Sequence, residues 1–300
     1  MPVDVNRPGP WNHRNLTARG TRFHVALAGP EAPSGSGVLT LLIHGFPECW
    51  WTWRHVIPAL AQAGHRVAAL DLRGFGGSDR PPSGYDLVTL AQDIAAVVRS
   101  LGHERAMVIG AGLGGQVAWA LPHMAPDLTR AIVPVGAPHP LALRSLRSRA
   151  LSGPALQYAS LQIPGLAERR LRSRSALEGL LRSWAGPHTR EAVAEEAPYY
   201  AELLSRPGAA RSALEPLRNL MLSRAETAAL ERPVTVPVLS VQGQLDPVQP
   251  AQAYARDTHH VTGNLHQATI RRSGHFPQEE APAELVRALI PFLADVAPAV

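Results

Sequence analysis

Residues 108–119 read VIGAGLGGQVAW. An apolar run, 106–109, enters a cluster of glycines, and a helix-like stretch, 115–124, leaves it. This is the pattern of a strand, a sharp turn and a helix. Small residues at Gly110, Gly114 and Gly115 let the strand and the helix approach closely. The apex of such an elbow projects its side chain above a sheet. Here the apex is Gly112, which has no side chain to project. The N–H of Leu113, at the helix start, faces whatever occupies that place. A phosphate cradle is the competing reading, and it fails on detail. The run lacks the Lys-Ser/Thr of a P-loop, and it does not fit GxGxxG followed by a ribose-binding acid at the right distance.

Outward from the elbow, the first two-fifths of the chain alternate strand-like and helix-like stretches. Val38–Ile43 (VLTLLI) is a short apolar run ending in a Gly-Pro turn, and 65–70 and 131–135 are similar. Such runs suit parallel strands buried on both faces. Helix-like stretches at 54–63 and 87–101 lie between them, which predicts an α/β fold: a mostly parallel sheet flanked by helices. From about 141 to 231 no strand pattern stands out. Leu, Ala, Arg and Glu dominate there, punctuated by Pro154, Pro164, Pro187, Pro198, Pro207 and Pro216. Strand signals return at 236–243 and 268–271, and an amphipathic helix closes the chain at about 282–293. The expected organisation is a core formed by 1–139 and 233–300, with a helical cap at 140–232.

Ligands of open parallel sheets bind outside the carboxyl ends of the strands. Four further strand-following turns carry recognisable chemistry. HGFPE, 44–48, reads either as an ordinary Gly-Pro turn or as a loop that presents the N–H of Phe46 as an oxyanion donor. DLRGFGGSD, 71–79, reads as a structural chain reversal. QGQLDP, 242–247, and SGHFPQEE, 273–280, place Asp246 and His275 after the last two strands. The order elbow, acid, base is that of the α/β-hydrolase arrangement, in which the carboxylate orients the imidazole.

Composition narrows the function further. With 300 residues, 45% of them hydrophobic, the chain can bury a large core, in one domain or one domain with an insertion. Its single cysteine, Cys49, excludes an intrachain disulfide and a cysteine-type zinc site. The 13 histidines show no metal-ligand spacing, so the sequence implies no metal and no cofactor. All 29 basic residues are arginine, and the formal net charge is +5. The basic run 144–149 lacks the interleaved aromatics of a single-strand nucleic-acid groove, and no nucleic-acid role is expected. No apolar run approaches the roughly 20 residues of a membrane span. The polar N-terminus has no signal-peptide core, so the expected location is cytoplasmic. The expected partner is a small molecule; monomer and homodimer both remain open.

HGFPECWWTWR, DLRGFGGSDRP, the elbow and GHFPQEEAP together resemble the epoxide hydrolase and haloalkane dehalogenase branch of the α/β-hydrolases. The resemblance spans nearly the whole chain. It implies Asp246 as acid, His275 as base, and Phe46 and Leu113 as oxyanion donors. In that branch the nucleophile is usually an aspartate that forms a covalent ester. The matching position is Gly112, so the resemblance supplies no nucleophile. It also implies two cap tyrosines that protonate an epoxide oxygen. In this chain Gln157 stands at the first, with Tyr158 one residue off, and Leu217 stands at the second. Trp51 and Trp184 are candidate pocket residues beside them.

Several functions fit these residues. One is an enzyme without a covalent nucleophile, in which His275 and Asp246 drive one-step hydrolysis or proton transfer on a small apolar substrate. Another is a pseudoenzyme that binds a small ligand. A third is a nucleophile-knockout variant of an epoxide hydrolase or esterase. A scaffold without a ligand is the remaining reading.

Overall fold

The structure is a computed structural model that describes residues 3–31, 37–143, 159–218 and 222–296. Its centre is an eight-stranded sheet of order β1-β2-β4-β3-β5-β6-β7-β8. The strands are β1 (Asn12–Ala18), β2 (Thr21–Ala28), β3 (Val38–Ile43), β4 (Arg66–Leu70), β5 (Arg105–Ala111), β6 (Thr129–Val135), β7 (Val238–Gly243) and β8 (Leu265–Ile270). From β4 to β8 every pairing is parallel, whereas β1 and β2 pair antiparallel at one edge. The apolar strands β3 and β5 lie mid-sheet and are buried almost end to end, as burial on both faces requires.

Helices α1 (Ile57–Gln62), α2 (Leu87–Ser100) and α3 (Leu113–Met124) follow β3, β4 and β5. Asp86 caps α2 by accepting the N–H of Thr89 at 2.9 Å, which satisfies one of the free donors at the helix start. Of the stretch read as one helix over 54–63, α1 covers Ile57–Gln62, and a 3₁₀ turn, Trp50–Trp53, precedes the stretch. Pro58 sits at the start of α1, where its missing N–H costs no bond.

Between β6 and β7 the described residues hold no named strand. They form α4 (Leu166–Arg172), α5 (Arg174–Trp184), α6 (Arg190–Ala194), α7 (Ala197–Leu204), α8 (Ala209–Arg218) and α9 (Arg224–Leu230). In α5, Leu177, Leu180, Leu181 and Trp184 form the buried face, and the Ser173 hydroxyl caps its start. After β7 come α10 (Ala251–Ala255), α11 (Pro277–Glu280) and α12 (Pro282–Val296). Among the described residues no helix is long and apolar enough to cross a membrane.

Candidate active site

The chain leaves β5 at Ala111, turns at Gly112 and enters α3 at Leu113. Gly112 adopts φ 47° and ψ −110°, a backbone conformation that residues with a Cβ rarely take. Its N–H donates to the Val135 carbonyl at 2.9 Å, and its carbonyl accepts Gln116 N–H at 3.1 Å. The apex is therefore tied to β6 on one side and to α3 on the other. A Cβ on Gly110 would collide with the Gly114 carbonyl, and one on Gly115 with the Ala137 methyl. Close packing of strand and helix thus forbids larger residues at these two positions. Gly112 differs: a Cβ there would stand 3.4 Å from His275 Nε2 and 3.7 Å from Gly45 Cα. These are ordinary contact distances, so the space above the apex fits a Cβ.

His275 follows β8 and Asp246 follows β7, as their positions in the sequence suggest. The His275 imidazole bonds Asp246 through Nδ1 to Oδ2 at 3.0 Å. A carboxylate only accepts, so Nδ1 carries the proton and Nε2 is left facing the apex. The other oxygen, Asp246 Oδ1, accepts the N–H groups of Val248 at 2.8 Å and Gln249 at 3.1 Å. Both side chains are buried. Burial opposes charge on His275, but the Asp246 charge and hydrogen bond, with Glu280 beyond, outweigh it and raise its pKa above the ordinary histidine value.

Two glutamates of the same motifs contribute and carried no assigned role in the sequence. Glu280 accepts Gly186 N–H at 2.7 Å, Gly274 N–H at 2.8 Å and the Thr189 hydroxyl at 2.6 Å on Oε2, and Phe276 N–H at 3.0 Å on Oε1. It thereby fixes the backbone on both sides of His275 and ties it to the helical segment. The His275 N–H donates to the Trp184 carbonyl at 2.9 Å, which adds a second tie. Glu48, the last residue of HGFPE, is buried and accepts the Thr52 hydroxyl at 2.6 Å and the Gln278 amide at 3.2 Å. Burial, reinforced by the neighbouring Glu279, pushes its pKa up to about 8, so it is mostly neutral at pH 7.

The loop carrying Phe46 is held from below. Asp71 accepts Trp50 N–H, Gly77 N–H and His24 Nδ1, each at 2.8 Å, which gives DLRGFGGSD its structural role. His44 Nε2 accepts Leu72 N–H at 3.1 Å. Among the described residues the N–H groups of Phe46 and Leu113 donate to no partner.

The remaining candidates separate. The Trp184 ring stands edge-on to His275, with centroids 5.5 Å apart, and 6.2 Å from Phe46, so it belongs to the site. Trp51, expected in the pocket, is drawn into another cluster. The Arg7 guanidinium lies 4.1 Å over its ring, Trp50 and Tyr199 flank it, and its Nε1 donates to Glu196 at 3.0 Å. Leu217 is buried in α8, and its carbonyl accepts the Gln162 amide at 3.4 Å. Gln157 and Tyr158 lie outside the described residues.

Residues 40–282 match the family described as alpha/beta hydrolase fold. A 128-residue stretch is 44% identical to epoxide hydrolase B of Mycobacterium tuberculosis, covering 42% of this chain and 35% of that protein. Epoxide hydrolase A of the same species is 30% identical over 323 residues, covering 95% of this chain and 98% of that protein. The crystal structure of wild-type Cfl2 from Burkholderia cenocepacia superposes with a TM-score of 0.81 at 30% identity, covering 94% of this chain and 96% of that one. With the elbow, the strand order and the His275–Asp246 pair in place, the chain belongs to the alpha/beta hydrolase fold family, in its epoxide hydrolase-like branch.

Proposed function

We propose that this chain is a hydrolase that works without a covalent nucleophile. His275 activates a water lodged above Gly112, and Asp246 holds the imidazole in the tautomer that leaves Nε2 free to take the proton. The N–H groups of Phe46 and Leu113 stabilise the negative charge that develops on the substrate oxygen. The substrate is a small, mostly apolar ester or epoxide, and the segment 140–232 serves as the cap over it. The observation that carries this reading is the placement of His275 Nε2 3.4 Å from where a Cβ of residue 112 would stand. A side chain absent there leaves room for a water, whose share of liquid volume is about 30 Å³.

Single-turnover hydrolysis of an epoxide in ¹⁸O-water tests the mechanism. Direct attack puts solvent oxygen into the product in the first turnover. A covalent ester would instead deliver a protein oxygen first, and that result rejects the reading. His275→Ala should abolish turnover. A ligand-binding protein without turnover is the second reading, and the raised pKa of His275 favours it, because it stabilises the form that cannot act as a base.

A further inference from the structure

Three donors surround the Gly112 apex, and no carboxylate of the chain stands there to receive them. Leu113 N–H opens the 12-residue α3, whose N-terminus favours negative charge. Phe46 N–H neighbours Gly45, whose Cα is 3.7 Å from where a Cβ on residue 112 would stand. Neither N–H donates to a partner among the described residues. The third is His275, only 6% exposed, whose Nδ1 is engaged by Asp246 and whose Nε2 faces the apex with no partner among the described residues.

The nearby acids do not fill this role. Asp246 spends its oxygens on His275, Val248 and Gln249. Glu280 spends its own on four donors of the surrounding loops. Glu48 is buried against Thr52 and Gln278, and its raised pKa keeps it mostly neutral, so it does not repel an anion next door. An ordinary member of this branch fills the place with the carboxylate of its elbow aspartate. Here the donors remain and the carboxylate is gone.

We infer that the Gly112 slot binds an untethered monocarboxylate, held by the N–H groups of Phe46 and Leu113 and by the protonated Nε2 of His275. The inference uses the same slot and the same three donors as the proposed function, but it does not depend on turnover. A carboxylate is planar and offers two oxygens, so one can meet the backbone donors while the other meets the imidazolium. Two sources share this chemistry: a free short acid, and the carboxyl end of a longer apolar ligand, including the acid released by ester hydrolysis. Binding weakens as the pH rises through the pKa of His275, because the neutral imidazole has spent its one proton on Asp246.

The test titrates the protein with sodium acetate against sodium chloride at matched ionic strength. Calorimetry reads affinity, and NMR reads the ring resonances of His275. Acetate should bind saturably and chloride should not. Affinity should fall at least about tenfold between about pH 5.5 and about pH 8.5 as the charge-assisted bond is lost. Gly112→Asp, which tethers a carboxylate in the slot, should abolish acetate binding. His275→Gln, which leaves the elbow backbone untouched, should weaken it by a similar factor at low pH. Phenylacetate separates the sources: tighter binding than acetate assigns the carboxyl to a longer ligand, and weaker binding assigns it to a short acid. Equal shifts with acetate and chloride, pH-independent binding, or unchanged binding in folded Gly112→Asp or His275→Gln would each overturn the inference. If acetate fails to bind while His275-dependent hydrolysis persists, the inference falls and the proposed function stands. If acetate binds and no substrate is turned over, the reverse holds.

Discussion

His275 Nε2 lies 3.4 Å from the point where a Cβ on residue 112 would stand, and the residue at 112 is glycine. The imidazole is thus aimed at a position that carries no side chain. The positive φ of Gly112 explains why glycine suits the fold at this position, since any larger residue bears strain there. Stability and covalent chemistry pull in opposite directions at this one residue.

Restoring a side chain should exchange one for the other. Gly112→Ser places a hydroxyl beside His275 Nε2 and should raise the hydrolysis of activated esters by roughly tenfold or more, within the usual reach of a paired general base. Gly112→Asp should gain less on epoxides if, as the resemblance implies, Leu217 takes the place of a proton-donating tyrosine. Both variants should lose roughly 1–3 kcal/mol of stability to backbone strain, measured by urea denaturation. No steric penalty adds to this, because the nearest atom is at contact distance. His275→Ala in either background should remove the gain. Wild-type rates equal to those of the variants would show that the missing side chain limits nothing.

The Asp246–His275 bond sets a pH dependence with a definite sign. The folded pKa of His275 lies above its ordinary value, with burial opposing the charge and Asp246 more than offsetting it. Folding stability from this pair is therefore complete below the unfolded pKa of about 6.5 and fades as pH rises through the folded pKa. Asp246→Asn should lower the His275 pKa, read from its ring protons by NMR. The stability gap between wild type and Asp246→Asn should be widest near about pH 5 and narrow as the pH rises. Base-dependent turnover in Asp246→Asn should begin at lower pH but reach a lower plateau, because the tautomer is no longer fixed. An unchanged His275 titration would refute the assignment of Asp246 as its partner.

Glu48 shifts stability in the same direction with pH, for a different reason. Its pKa is raised to about 8 by burial first and Glu279 second. The folded state then holds a proton that the unfolded state releases, so stability drains between about pH 4.5 and about pH 8. Glu48→Gln has no proton to lose. Relative to wild type it should gain stability as the pH climbs through this window, with the difference levelling off above about pH 8. Paired thermal melts at pH 6 and pH 9 check this; an equal difference at both values would mean that Glu48 does not titrate between them.

The elbow, the strand-following turns and the His275–Asp246 order were legible because each is a short local signal. β3 coincides with its apolar run, and α2 ends one residue from its expected bound. The β1–β2 hairpin was not legible, since Asn12–Ala18 is largely polar and mostly exposed, and carries no apolar alternation. Trp51 and Trp184 were indistinguishable in sequence. What separates them is Arg7 and Tyr199 covering one ring and His275 meeting the other. Glu280 was hidden for a similar reason: its partners Gly186 and Thr189 lie 94 and 91 residues away. Such contacts leave no periodicity to read.

Glu280 gives the last prediction, because it acts on His275 without touching the apex. Its carboxylate accepts from Gly186, Thr189 and Gly274 on one oxygen and from Phe276 on the other. Glu280→Gln can keep its amide oxygen toward the first three donors, but its NH₂ then faces the Phe276 N–H, donor against donor. The lost bond and the unsatisfied donor should cost roughly 1–3 kcal/mol. A merely structural role would stop there. The Glu280 charge also helps to raise the His275 pKa, though less than Asp246 does. Glu280→Gln should therefore lower the His275 pKa and shift the pH midpoint of turnover toward acid. Thr189→Val provides the control. It removes one hydrogen bond to the same carboxylate and leaves the charge in place. It should cost stability, about 1 kcal/mol, with little movement of the His275 titration. If both variants leave that titration where it stands in wild type, Glu280 only staples the loop and does not tune the base.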